Sequence, residues 1–380
     1  MQEFSFSTRI YFGEGALERL NQVEDKKVMI VTDPFMAKLG VPDKVASYLT
    51  RCEVSVFDGV MPDPPIEVIA AGIEALRASG AEAMIAVGGG STIDAAKAIR
   101  AVAKDTLHID TDQWECFAIP TTSGTGSEVT DYAVITDRAK GIKYPLDSQK
   151  LRPPVAILDP QLTMSAPASV TADAGMDALT HALEAYVSTG ANDFSDALAE
   201  KAATQVFQYL PLAYKDGSNV LARQKVHNAS CMAGLAFNAA GLGLNHGMAH
   251  AIGAKLHIAH GRINAMLLPH IVAYNADLDH MRGGVYSQAA KKYQRMAELL
   301  GMPAPSVRLG VSNLIRGIQE MNRNLKIPAS LKDQGSDLEL VKELKEELIS
   351  AALADATTST NPKEPTREDV AAILKKVTGR

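Results

Sequence analysis

Five short apolar runs in the first 160 residues restrict the fold more than any other feature of this chain. They span residues 28–31, 54–57, 83–87, 117–119 and 155–158. Runs of this length, rich in Val and Ile and bounded by turn residues, match buried strands. Between the early runs the pattern is helical: Val68, Ile69, Ile73 and Leu76 recur near a 3.6-residue period within 66–78. Strands interleaved with helices predict a parallel sheet covered on both faces. Residues 132–136 and 142–144, separated by Lys140-Gly141, read instead as a small antiparallel ribbon.

Beyond Asp159-Pro160 the apolar residues follow helical periods, as in 178–186, 197–210 and 226–237. Ser336 with Glu339 reads as a capping box opening a helix through residue 349, and Thr366 with Asp369 as a second one opening a final short helix. The polar, proline-containing stretch 356–365 between them reads as a surface loop. The expected plan is α/β: a Rossmann-like parallel-sheet domain over 1–165, then an all-helical domain over 166–380, with a cleft between them as the default ligand site.

Composition narrows the function. A net charge of −6 without a basic run excludes the electrostatic footprint of a nucleic-acid binder. No apolar run reaches the ~18 residues of a spanning helix, and the N-terminus lacks signal-peptide anatomy. Cys52, Cys116 and Cys231 are widely spaced and form no CxxC pair, which points to a reducing compartment. A soluble cytoplasmic protein is expected, with no membrane partner.

Two loops carry a nucleotide signal. Gly88-Gly89-Gly90-Ser91 lies between a strand-like run and a helical stretch, where backbone N–H groups and the helix N-terminus suit an anion. Alone it is a weak motif, because triple glycines often only make turns. The segment from Thr121 to Ser127 follows another strand-like run and offers five hydroxyls beside two glycines. Two such loops after neighbouring parallel strands favour a dinucleotide. Asp33 ends the run 28–31, where a carboxylate can bond ribose hydroxyls and repel a 2′-phosphate; by itself it would be a turn residue before Pro34.

Histidines supply the second signal. Of nine in the chain, His246, His250, His257, His260 and His270 crowd into 25 positions. Asp177 and His181 stand four apart in a helical pattern, as do His246 and His250, so each pair shares a helix face. Any one of these histidines is more simply a packed side chain. Together, one carboxylate and three imidazoles make a sensible site for Fe²⁺ or Zn²⁺. His108, His227 and His280 read as structural, and His257 and His270 stay unassigned.

With these residues in view, the sequence resembles the iron-containing (group III) alcohol dehydrogenase family along essentially its whole length. The similarity runs in order through GGGSTIDAAKAI, IPTTSGTGSEVT, ILDP, AGMDALTHALEAYVS, GLGLNHGMAHAIG and HGRINAMLLPH. GIKYPL, DFSDALAEKAATQVFQYLP and KVHNASCMAGLAF are similar to the short propanol and ethanol dehydrogenases of bacterial microcompartments. The resemblance implies a dehydroquinate synthase-like fold with Asp177, His181, His246 and His260 as metal ligands. It places His250 near the nicotinamide, as a candidate proton relay. It puts the coenzyme on Asp33, Asp63, Gly89, Gly90, Ser91, Asp94, Thr121, Thr122, Ser127 and Lys143.

The implied enzyme interconverts short primary alcohols and aldehydes with NAD(H) and Fe²⁺, Zn²⁺ being the alternative ion, and reduces propanal or acetaldehyde to regenerate NAD. It implies a homodimer or larger homo-oligomer and a microcompartment shell or cargo protein as partner. Two departures stand out: Thr92 where the family often has proline, and Arg262 where relatives commonly carry a smaller or apolar residue. The rival readings are a zinc-dependent glycerol or polyol dehydrogenase and a nucleotide-binding scaffold that has lost catalysis.

Overall fold

The computed structural model describes residues 4–138, 140, 142–279 and 285–379, so Gly141 and His280 lie outside the described residues. The chain divides into two compact units, Met1–Ala166 and Pro167–Arg380. In the first unit the strands are β1 (Arg9–Phe12), β2 (Lys27–Val31), β3 (Glu53–Phe57), β4 (Ala83–Gly88), β5 (Glu115–Pro120), β6 (Tyr132–Asp137), β7 (Ile142–Asp147) and β8 (Val155–Leu158). Its helices are α1 (Pro34–Lys38), α2 (Val41–Ala46), α3 (Ile66–Ser79) and α4 (Gly90–Thr106).

Six strands form one parallel sheet in the order β1-β8-β5-β4-β2-β3, and β6 and β7 form a separate antiparallel ribbon. Each of the five apolar runs is a strand, as expected of sequence buried on both faces. Alternation decides which face each side chain joins. Val28 and Ile30 of β2 pack with Leu20, Val45 and Leu49, while Met29 and Val31 pack with Ile69, Ile73 and Ile99 of α3 and α4. β1 escaped the sequence pattern because RIYF is an edge strand with exposed ends; its pairing with β8 makes it a strand.

The strand order reverses at one place. From β2 the chain goes outward to β3, then returns to β4 on the other side of β2. Ligands of doubly wound sheets bind at such a switch point, beyond the carboxyl ends of the two strands. Asp33 lies two residues past the end of β2, and Gly89-Gly90 directly follow β4.

The second unit is all helical: α5 (Ala168–Val187), α6 (Asp193–Lys215), α7 (Val220–Ala240), α8 (Leu244–Leu256), α9 (His260–Ala276), α10 (Gln288–Leu299), α11 (Val307–Asn324), α12 (Leu338–Glu343), α13 (Lys345–Ala354) and α14 (Arg367–Thr378). α5 is buried around almost its whole circumference and packs against α6, α7 and α9, which makes it the central helix of this unit. Polar residues on such a helix need partners inside the protein.

Two expectations are corrected here. Asp337, not Ser336, caps α12, its carboxylate accepting from Glu339 N and Leu340 N, and the run through residue 349 is divided at Leu344 into α12 and α13. The stretch 356–365 is not wholly irregular. It opens with a 3₁₀ turn, Ala356–Thr360, capped by Asp355. The capping box of Thr366 and Asp369 forms at α14. Among the described residues no helix is long and apolar enough to cross a membrane.

Candidate metal centre and coenzyme loops

Three helices supply the polar cluster of the second unit. α5 carries Asp177, His181 and Glu184, spaced four and three residues apart and therefore on one face. α8 carries His246 and His250 one turn apart, and α9 begins at His260 with Asn264 one turn further on. Asp177, His181 and His246 are 4%, 5% and 1% exposed. One ligand atom from each lies within 4.8 Å of the others.

His260 joins through the carboxylate: its Nε2 is 3.5 Å from Asp177 Oδ1, and His246 Nε2 is 3.7 Å from the same oxygen. Four ligands held at about 2.1 Å in a tetrahedral array stand about 3.4 Å apart, so these spacings suit a divalent ion. His181 is held between two rings, stacked on Phe237 and on His246 with centroids 4.5 Å away in each case.

Donors are too few for the acceptors gathered there. The Asn264 amide nitrogen donates to Asp177 Oδ1 at 2.7 Å and faces His246 Nε2 at 3.2 Å and His260 Nε2 at 3.1 Å. When both imidazoles are neutral and turn a lone pair inward, the two hydrogens of this NH₂ group face three acceptor atoms. A proton on His246 or a divalent cation would resolve that excess.

The electrostatics agree. Burial alone would lower the pKa of His246, but Glu184 and Asp177 outweigh it and lift the imidazole to about 9. Burial pushes Asp177 up, yet His181, His260 and His246 hold its carboxyl below the usual range. Desolvation and the neighbouring imidazoles lower the pKa of His260, so its imidazole stays neutral and offers a lone pair.

Glu184 escaped the sequence reading, although its position seven residues after Asp177 was a usable signal. Its Oε2 bonds His246 Nδ1 and its Oε1 accepts Asn245 N at 2.7 Å, which turns His246 Nε2 toward Asp177. Asn264 was equally legible, four residues after His260. Asp355 was not: it lies 105 residues from His250, yet its Oδ2 is 2.8 Å from His250 Nδ1. The half-exposed His250 ring stacks on His260 at 5.1 Å.

Arg262, a departure at the sequence level, makes a two-pronged ion pair with Asp173, one turn before Asp177, at 3.1 Å on each prong. The neighbouring Gly261 explains how α9 comes so near: a Cβ there would stand 2.0 Å from the Asp173 carbonyl oxygen of α5. His257 caps α8 in a left-handed conformation and faces solvent.

In the first unit the residues named from sequence fall into three groups. At the switch point, Asp33 caps α1, its Oδ1 accepting from Phe35 N and Met36 N, each at 3.0 Å. The Thr92 hydroxyl donates to Asp33 Oδ2 at 3.2 Å. Gly89 and Gly90 lie against Thr122 and Thr125, and Thr121 N donates to Gly88 O at 2.9 Å, so the two loops interlock. The Thr121 hydroxyl is buried with no hydrogen-bond partner among the described residues, an orphan beside the glycine turn that a bound polar group would satisfy.

The second group is Asp94 and Ser127, which bond each other at 2.5 Å, while Asp94 also accepts Val134 N at 3.0 Å. Burial raises the Asp94 pKa against Lys97 and these bonds. This carboxylate ties α4 to the loop and the ribbon. The third group is peripheral. Asp63, in a left-handed turn, donates its N–H to Ser91 Oγ at 3.3 Å, and the backbone of Lys143 pairs with Thr136. The Lys143 side chain lies outside the described residues.

Comparison with known proteins follows the same division. Residues 7–160 match the family model for iron-containing alcohol dehydrogenase, and residues 171–378 match that for the C-terminal part of the Fe-containing alcohol dehydrogenase family. The chain is 43% identical to the 1-propanol dehydrogenase PduQ of Salmonella typhimurium, over 99% of this chain and 100% of that protein. The crystal structure of a 1,3-propanediol oxidoreductase superposes with a TM-score of 0.88 at 32% identity, covering 99% of this chain and 100% of the other. A sulfoacetaldehyde reductase from Bifidobacterium kashiwanohense, solved with NAD⁺, superposes at 0.86 with 28% identity over 99% of this chain and 98% of the other.

Proposed function

The chain belongs to the iron-containing alcohol dehydrogenase family, and from that premise we propose that it reduces short aldehydes, propanal foremost, to primary alcohols with NADH and Fe²⁺. One observation carries the reading. Ligand atoms of Asp177, His181 and His246 converge within 4.8 Å of one another inside the helical unit, and His260 Nε2 lies 3.5 Å from Asp177 Oδ1. A divalent ion there supplies Lewis acidity to an aldehyde oxygen, and NADH supplies the hydride.

The protein's own residues do the rest. Asp177, His181, His246 and His260 hold the ion, and Glu184 fixes the His246 ring so that Nε2 faces the site. His250, with Nδ1 committed to Asp355, keeps Nε2 for proton exchange between the alcohol oxygen and solvent. The glycine turn and the Thr121–Ser127 loop receive the pyrophosphate, and Asp33 receives the adenosine ribose. His260 on the Asp177 carboxylate supports a four-ligand iron site over a zinc polyol dehydrogenase with fewer ligands. The propanol dehydrogenase-like segments support a place among the cargo of a bacterial microcompartment, as a homodimer or larger homo-oligomer.

The test is NADH-dependent propanal reduction by one batch of metal-free protein reconstituted anaerobically with each metal. Turnover with Fe²⁺ that exceeds turnover with Zn²⁺ is expected, with loss in air and recovery on adding reductant and Fe²⁺. Affinity cannot make this choice, because the site binds Zn²⁺ at least as tightly. Equal or greater turnover with Zn²⁺ would sink the iron assignment.

A further inference from the structure

Thr92 stands where the family often has proline, and proline has no hydroxyl to donate. In this chain the hydroxyl is used: it bonds Asp33 Oδ2 across 59 residues of sequence. Thr92 is 2% exposed. Its side chain lies directly against Gly88, where an added Cβ would stand 2.5 Å from Thr92 Oγ1, so both the hydroxyl's position and the room for it are built in. The β4–α4 turn that offers backbone N–H groups thus also grips the carboxylate at the end of β2.

A carboxylate has about four acceptor sites. On Asp33, two bonds from α1 reach Oδ1 and one from Thr92 reaches Oδ2. The site left over is on Oδ2, the oxygen that Thr92 holds. Resting on the reading that Asp33 meets the adenosine ribose, we propose that Thr92 is a positioning residue that aims this oxygen and thereby sets the preference for NADH over NADPH. With Thr92 in place, a ribose hydroxyl meets a fixed acceptor, and a 2′-phosphate meets a negative charge that cannot swing away. Without the hydroxyl, Oδ2 is released. The carboxylate can then turn from a 2′-phosphate, and the ribose loses its fixed partner.

The experiment measures dissociation constants for NADH and NADPH by quenching of protein fluorescence, on metal-loaded enzyme, for wild type, Thr92→Val, Thr92→Ser and Asp33→Gly. Thr92→Val removes the hydroxyl at nearly constant shape, and the NADH preference should fall about five- to tenfold, the scale of one ordinary net hydrogen bond. Thr92→Ser should stay within about twofold of wild type, which a merely structural role for the side chain does not require. Asp33→Gly should lose most of the preference. If Asp33→Gly loses it while Thr92→Val keeps the wild-type ratio, the role of Thr92 is overturned and the ribose reading stands. A wild-type ratio in Asp33→Gly overturns the ribose reading itself. Should Thr92→Val fail to fold, Thr92→Ala gives the same readout.

Discussion

Glu184 lies beside the candidate metal ligands and bonds one of them. It bonds His246 Nδ1, accepts the Asn245 amide, and with Asp177 keeps the imidazole favourable to positive charge despite full burial. Glu184→Gln keeps the shape and deletes the charge. Metal affinity should drop about 10- to 100-fold, the usual cost of losing such a partner, with the fold intact. Competition against a metal-binding dye reads the affinity and circular dichroism the fold; an unchanged affinity would reduce Glu184 to a packing group. The candidate ligands were legible as residue types at helical spacing. His250 was legible too, but its partner Asp355 was not, because a bond across 105 residues leaves no local period to read.

At the scale of elements, the site depends on how closely α9 lies on α5. Gly261 permits a backbone contact beside Asp173, and the Arg262–Asp173 pair fastens the same place. Gly261→Ala would put a methyl 2.0 Å from a carbonyl oxygen, so α9 must shift, and His260 would shift with it. The expected loss is about 1–3 kcal/mol of stability, as for other overpacked contacts, together with loss of bound metal. Denaturant melts and metal analysis check both. A variant that keeps full metal content would separate His260 from the site. Arg262, a departure from the family pattern at the sequence level, is explained here as a clamp between helices. Helix type was readable from periodicity; the closeness of two helices was not, since both partners of the contact lie in different segments.

For the whole molecule, stability against acid follows from a histidine outside the metal cluster. His227 of α7 is 1% exposed, and burial, reinforced by the charge of Arg223, holds its pKa down to about 4. The unfolded chain binds this proton below about pH 6.5 and the folded chain only below about 4, so stability is lost as pH falls through that window. The group contributes about 2 kcal/mol of loss between pH 7 and pH 5. In metal-free protein, urea melts of His227→Gln should show a correspondingly shallower fall over that range than wild type. Parallel slopes would mean that the folded chain binds the His227 proton as readily as the unfolded one.

The sequence by itself determined the alternation of strands and helices, the parallel sheet, the all-helical second half and the residue types of the metal set. Those follow from local periods of 2 and 3.6 and from side-chain chemistry. Only the tertiary structure decided that β1 is a strand, that Asp94 is bonded to Ser127, that Asp355 meets His250, and that Thr92 reaches Asp33. Each of these is a contact between segments distant along the chain or a choice among partners sharing a helix face. Such contacts are fixed when apolar faces pack and buried polar groups find partners, which no local pattern records.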